Sequence, residues 1–175
     1  MRIGAYAKAL PLLFALMFAL ITCASASGDR RVLSGKMAWW QQAVGFWTCE
    51  VNLEPIPGQY AQKGFTVGEG SVAPDNVFHW SERASGIEID GYDGYAADTK
   101  VWWEAQAGST GLALVLRSSD GRTFEGVSPP GSEEYPSRYR EIYSIRGDGT
   151  FHEVDKKLVG GSWRLYSESS CKRMP

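Results

Sequence analysis

From Val44 to Cys171 apolar and polar residues alternate with a period of two, and turn residues interrupt the alternation at short intervals. Such a chain turns one face of each segment to a core and the other to water, which suits half-buried β-strands and not helices. In the first segment Trp47, Cys49, Val51 and Leu53 share one face, and Thr48, Glu50 and Asn52 the other; Pro55-Ile56-Pro57-Gly58 stops it. Further strand-like segments cover 64–72, 76–83, 86–91, 99–106, 111–117, 122–128, 137–146, 150–158 and 162–171. Turn signals separate them: Pro74-Asp75-Asn76, Asp93-Gly94, Gly108-Ser109, Asp120-Gly121, Gly147-Asp148-Gly149 and Gly160-Gly161. The longest loop runs from Ser128 to Pro136. Roughly nine or ten short strands joined by hairpins predict an all-β fold, either an up-and-down barrel or a sandwich. No linker divides this region and no repeat of fixed period runs through it.

The N-terminal residues follow a different rule. Arg2 and Lys8 are basic, Leu10 to Ile21 is an apolar run too short to span a bilayer comfortably, and Ala24-Ser25-Ala26 has the form of a cleavage site. Residues 1–26 therefore read as a signal peptide, with a mature start near Ser27 and a periplasmic or extracellular destination. The rival is a lipoprotein acylated at Cys23, although Thr22 stands where Gly or Ala is usual. Residues 27–36 read as a flexible lead-in that passes into a short helix over 35–43, capped by Ser34, with Met37, Trp39, Trp40 and Ala43 apolar. Residues 37–175 form the predicted domain, long enough to bury a core of its own.

Charge and cysteines narrow the partners. The chain has 18 Lys and Arg against 20 Asp and Glu. Loss of residues 1–26 removes Arg2 and Lys8 only, so 16 against 20 leaves a net charge of −4. No basic stripe remains, which argues against nucleic acid as a partner. Cys49 and Cys171 are then the remaining pair, and in an oxidising compartment they predict one disulfide. Parity supports it. Cys49 lies on the apolar face of the first strand, and Cys171 shares a face with Trp163 and Leu165 if the last strand runs without a bulge. A closed barrel makes those two strands neighbours.

Residues able to carry chemistry are few. His79 and His152 lie on different strands, and neither has an acid or thiol two residues away to complete a ligand set on one face. Both read more simply as surface or satisfied strand residues. His79 alternates with the apolar Phe78 and Trp80, and His152 is ambiguous in parity. No G-x-S-x-G elbow supports a serine nucleophile. Nothing calls for a metal or a cofactor. Glu141 shares a face with Tyr139, Tyr143 and Ile145; facing inward it would be a buried carboxylate in need of a partner, and facing outward a solvated one. Trp47, Trp80, Trp102, Trp103, Trp163, Tyr139 and Tyr143 either line a pocket or fill the barrel, and filling suits a barrel of about eight strands. Trp102 and Trp103 are adjacent, so one of them points outward.

Gly45-Phe46-Trp47, just after the short helix and opening the first strand, resembles the G-x-W signature of lipocalins and other calycins. Gly91-Tyr92-Asp93 followed by Val101-Trp102-Trp103 is similar to a mid-chain pattern of bacterial lipocalin-like families. A last strand ending on Ser170-Cys171-Lys172 resembles exported members. The resemblance extends over residues 37–173. It implies a single antiparallel barrel in which Gly45 and Trp47 close one end and a basic residue near the last strand packs over the Trp, with Arg164, Lys172 and Arg173 as candidates. Some barrel relatives hold haem through one His, which would require His79 or His152 to face inward. By fold analogy the implied role is non-catalytic binding of a small apolar or amphipathic molecule, with Trp103, Tyr139, Glu141 and Tyr143 as candidate contacts. Two other roles stay open: an enzyme using Glu141 or Glu125 with Arg140, and a protein-interaction module with a filled barrel and an exposed Trp patch.

Overall fold

The computed structural model describes residues 31–53, 62–84, 86–109, 111, 113–131 and 137–175. The signal-peptide reading, with Arg2, Lys8, Cys23 and Ala24-Ser25-Ala26, lies outside them, as do Pro55-Ile56-Pro57-Gly58 and residues 132–136 of the longest loop. A 3-10 helix, Gly35–Ala43, precedes ten strands: β1 Gly45–Leu53, β2 Gln62–Ala73, β3 Val77–Ala84, β4 Ile87–Ala96, β5 Val101–Gly108, β6 Ala113–Ser118, β7 Thr123–Val127, β8 Arg138–Ile145, β9 Phe151–Val159 and β10 Ser162–Arg173. Each strand pairs antiparallel with the next, and β10 pairs with β1, so the sheet closes into a barrel without free edges. Among the described residues no helix is long and apolar enough to cross a membrane.

The seam between first and last strand is covalent. Cys49 and Cys171 are direct cross-strand partners, their Cα atoms 3.9 Å apart, and they form a disulfide across 122 residues of sequence. Closure of so long a loop stabilises the fold by about 5 kcal/mol in the chain-entropy picture.

Three local expectations fail for identifiable reasons. Asp93-Gly94 is not a turn; both residues lie inside β4, which continues to Ala96. Gly94 is required there because the Trp103 ring lies against it: a Cβ at this position would fall 2.3 Å from Trp103 Cζ2. The turn follows instead at 97–100, with Lys100 at φ 57°. Trp163 and Leu165 do not share the face of Cys171. A bulge between Leu165 and Ser167 flips the parity, so Ser167, Ser169 and Cys171 point inward and Leu165 is exposed. Ser34 precedes the helix but makes no side-chain cap; its carbonyl accepts from Met37 N instead.

The 3-10 helix closes one end of the barrel. Met37, Trp40 and Ala43, three residues apart, are its buried positions, as the three-residue repeat of a 3-10 turn requires. The Trp40 ring stacks on Phe78 at 5.2 Å and meets Tyr143 edge-on at 5.0 Å, with Phe124 and Phe151 beyond. Trp47 is buried beside this plug and donates its indole N–H to Ala43 O at 2.8 Å. Of the three basic candidates near the last strand, Arg173 lies over the Trp47 ring, 4.8 Å from its centroid, and donates to Gln42 O at 2.6 Å. Arg164 pairs with Lys157 toward the opposite end of β10, is exposed, and does not approach Trp47.

Candidate functional site: an acid-floored cavity inside the barrel

Period-two alternation fixes which side chains enter the barrel. The inward residues include Phe78, Trp80 and Glu82 on β3, Asp93 on β4, Trp102, Glu104 and Gln106 on β5, Tyr139, Glu141 and Tyr143 on β8, and Phe151, Glu153 and Asp155 on β9. Six carboxylates therefore share the interior. Lys157, at the far end of β9, is a cation of the same face, and its Nζ lies 3.7 Å from the Tyr166 ring centroid.

The interior is not filled. Ten strands enclose more space than the eight of the smallest barrels. The aromatic plug occupies the helix end and leaves a cavity of about 280 Å³ toward the other. Val51, Leu53, Ile87, Ile89 and Leu114 make its aliphatic walls, and Glu82, Glu141, Glu153 and Asp155 its acidic floor. A smaller pocket of about 70 Å³ lies on the plug side of the floor, beside Trp40, Trp47 and Tyr143. The aromatic residues thus mostly close the barrel; Trp80, Tyr139 and Tyr166 are those that reach the larger cavity.

The floor is a network short of donors. Gln106 Nε2 donates to Glu104 Oε1 at 3.0 Å and to Glu141 Oε1 at 2.8 Å. Tyr143 O–H lies 2.8 Å from Glu141 Oε2 and 3.2 Å from Glu104 Oε1, but its one proton serves one acceptor at a time. On the neighbouring strands Thr66 donates to Glu82, Ser167 to Asp155, and Ser169 to Glu153. Asp93 is completely buried; Trp80 Nε1 donates to its Oδ2 at 3.1 Å, while its Oδ1 accepts nothing. Asp155 Oδ1 is likewise buried without a donor.

Burial and mutual repulsion act together on these acids. Burial, then the charge of Asp93, holds Glu104 well above the usual carboxylate range. Burial, then Glu104 and Asp155, does the same to Glu141. Burial, with Asp155 and Glu141, raises Glu153, and burial raises Asp155 to about 6. Tyr143 is pushed well above 10 by burial and the surrounding acids, so it remains a neutral donor. Glu104 and Glu141 crowd each other, as do Glu153 and Asp155, so each pair favours holding a proton. Such carboxyl–carboxylate pairs can take up a cation in place of the proton, or exchange the proton itself.

Glu141, Glu153 and Asp155 each offer an oxygen within 4.8 Å of the others, a spacing that also suits a metal ion.

The anticipated contacts divide by parity. Tyr139 and Glu141 line the larger cavity and Tyr143 the smaller pocket. Trp103 does not join them: Trp102 takes the inward position, and Trp103 lies on the outer face over Gly94. Glu125 and Arg140 do not converge with Glu141 either. They pair with each other on the outer face at 2.7 Å, with Arg140 over the Trp163 ring. His152 meets Glu168 at 2.6 Å, and His79 packs against Tyr92 beside Ser71; neither lines the cavity. No Trp is among the strongly exposed hydrophobic residues, so the anticipated outer Trp patch does not form among the described residues.

Glu82, Asp93, Glu104, Glu153 and Asp155 were not candidates from sequence. The signal that could have found them is a repeated one: Phe78-x-Trp80-x-Glu82, Trp102-x-Glu104, Tyr139-x-Glu141-x-Tyr143 and Phe151-x-Glu153 each put an acid on the aromatic face of a strand.

Compared with known proteins, the chain matches no family model and no curated protein sequence.

Proposed function

We propose that this is an exported, lipocalin-like binding protein, non-catalytic, that holds one small amphipathic molecule inside its barrel. The observation that carries the reading is the two-character cavity, aliphatic on its walls and acidic on its floor. A ligand's apolar body would replace water against Val51, Leu53, Ile87, Ile89 and Leu114, where burial contributes about 25 cal/mol per Å². Its polar end would reach the carboxylate floor and meet acceptors that the chain leaves short of donors. Closed barrels suit this role because their walls are rigid and the site is largely formed before binding. The disulfide fits the exported destination.

A solvatochromic amphiphilic dye tests the reading. It should bind the purified protein with a blue-shifted, enhanced emission. Leu114→Trp, which fills the cavity, should weaken that binding about tenfold or more while the far-ultraviolet spectrum stays that of a β-barrel. Dye binding unaffected by Leu114→Trp would place the site elsewhere and contradict the proposal.

A further inference from the structure

The geometry of the floor points to the chemistry of the ligand's polar end: we propose that it is a primary ammonium, and that the cavity selects alkyl or arylalkyl amines over alcohols and acids of the same shape. This rests on the cavity being the binding site. Three observations carry it.

The first is charge balance. Six carboxylates enter the barrel on β3, β4, β5, β8 and β9, against Lys157 at the far end of the same interior. An ammonium head can take the place of protons that Glu82, Glu141, Glu153 and Asp155 otherwise retain at the floor, whereas an anionic head would add one more negative charge to that crowded group. A neutral hydroxyl could satisfy one acceptor but could not replace a proton as a cation does.

The second is unmet acceptor capacity. Asp155 Oδ1, at the cavity floor, is buried and accepts no hydrogen bond. A buried acceptor left in this state points to a donor that the chain itself does not supply.

The third is spacing. A primary ammonium carries three N–H donors in tetrahedral directions. At charge-assisted distances of roughly 2.8 Å these directions place three acceptors roughly 4.6 Å apart. Glu141, Glu153 and Asp155 present oxygens within 4.8 Å of one another, at the base of the aliphatic walls. A hard divalent ion would instead seek roughly six to eight oxygens, and above this floor the cavity turns aliphatic.

The test compares three probes that share one chain, octylamine, octanol and octanoate, by calorimetric titration of the disulfide-intact protein at pH 7. Octylamine should bind at least about tenfold more tightly than octanol, and octanoate not detectably. Glu153→Gln and Asp155→Asn, made separately, should each reduce the octylamine-to-octanol preference about tenfold while octanol affinity stays within about threefold, which also reports that the variant cavity is intact. Equal binding of octylamine and octanol would overturn the ammonium assignment and leave the binding site standing. Failure of all three probes would overturn both. Tight calcium binding without octylamine binding would replace the organic ligand with a metal and overturn the proposal.

Discussion

At the scale of single residues, the buried acids decide how this protein responds to pH. Burial raises Asp155 to about 6 in the fold against 3.8 for a free side chain, and burial and mutual repulsion hold Glu104, Glu141 and Glu153 well above the usual carboxylate range. The folded state thus keeps protons that the unfolded chain has released. Stability is fully present below the unfolded values near 4 and is lost as pH rises through the folded ones. A single group displaced by about two pH units costs on the order of 3 kcal/mol. Chemical denaturation of the ligand-free protein should therefore give an unfolding free energy lower at pH 8 than at pH 5, by roughly 2–3 kcal/mol or more. Glu141→Gln removes one ionisable member and keeps its shape, and should flatten that slope by raising stability at pH 8. A stability that rises from pH 5 to pH 8 would mean that these acids are not buried together.

At the scale of elements, alternation and turn chemistry revealed nearly the whole strand order. The expected segment over 150–158 became β9, 151–159, and that over 137–146 became β8, 138–145. Misreadings occurred where tertiary packing overrode a local signal. Asp93-Gly94 has the composition of a tight turn, yet Trp103 on the adjacent strand needs the space that a Cβ would fill, and Trp80 needs Asp93 as its acceptor. In β10 the bulge at Leu165 and Ser167 leaves no composition cue, and it alone reverses the faces of Trp163 and Leu165. Gly94→Ala should consequently cost about 1–3 kcal/mol through overpacking against the Trp103 ring. Equilibrium unfolding in urea measures it; a cost below about 0.5 kcal/mol, as at an ordinary surface site, would show that β4 and β5 do not approach this closely.

At the scale of the whole molecule, closure was legible and content was not. Cys49 and Cys171 could be matched as the cysteine pair left by removal of residues 1–26, because a sheet that closes must bring its first and last strands together; the parity of Cys171 with Trp163 and Leu165 did not survive the bulge. The acidic floor could not be reached that way. Glu82, Glu141 and Glu153 belong to different strands, and each taken singly resembles a solvated position. Only the ten-strand register brings them to one level around a common space. The central claim is that this space holds a small amphipathic molecule. Native mass spectrometry of the protein purified from its native source tests it most directly. The expected species is heavier than the disulfide-bonded chain by the mass of one small molecule, which is released on denaturation. A single species at the mass of the bare chain, unchanged after incubation with octylamine, would contradict it.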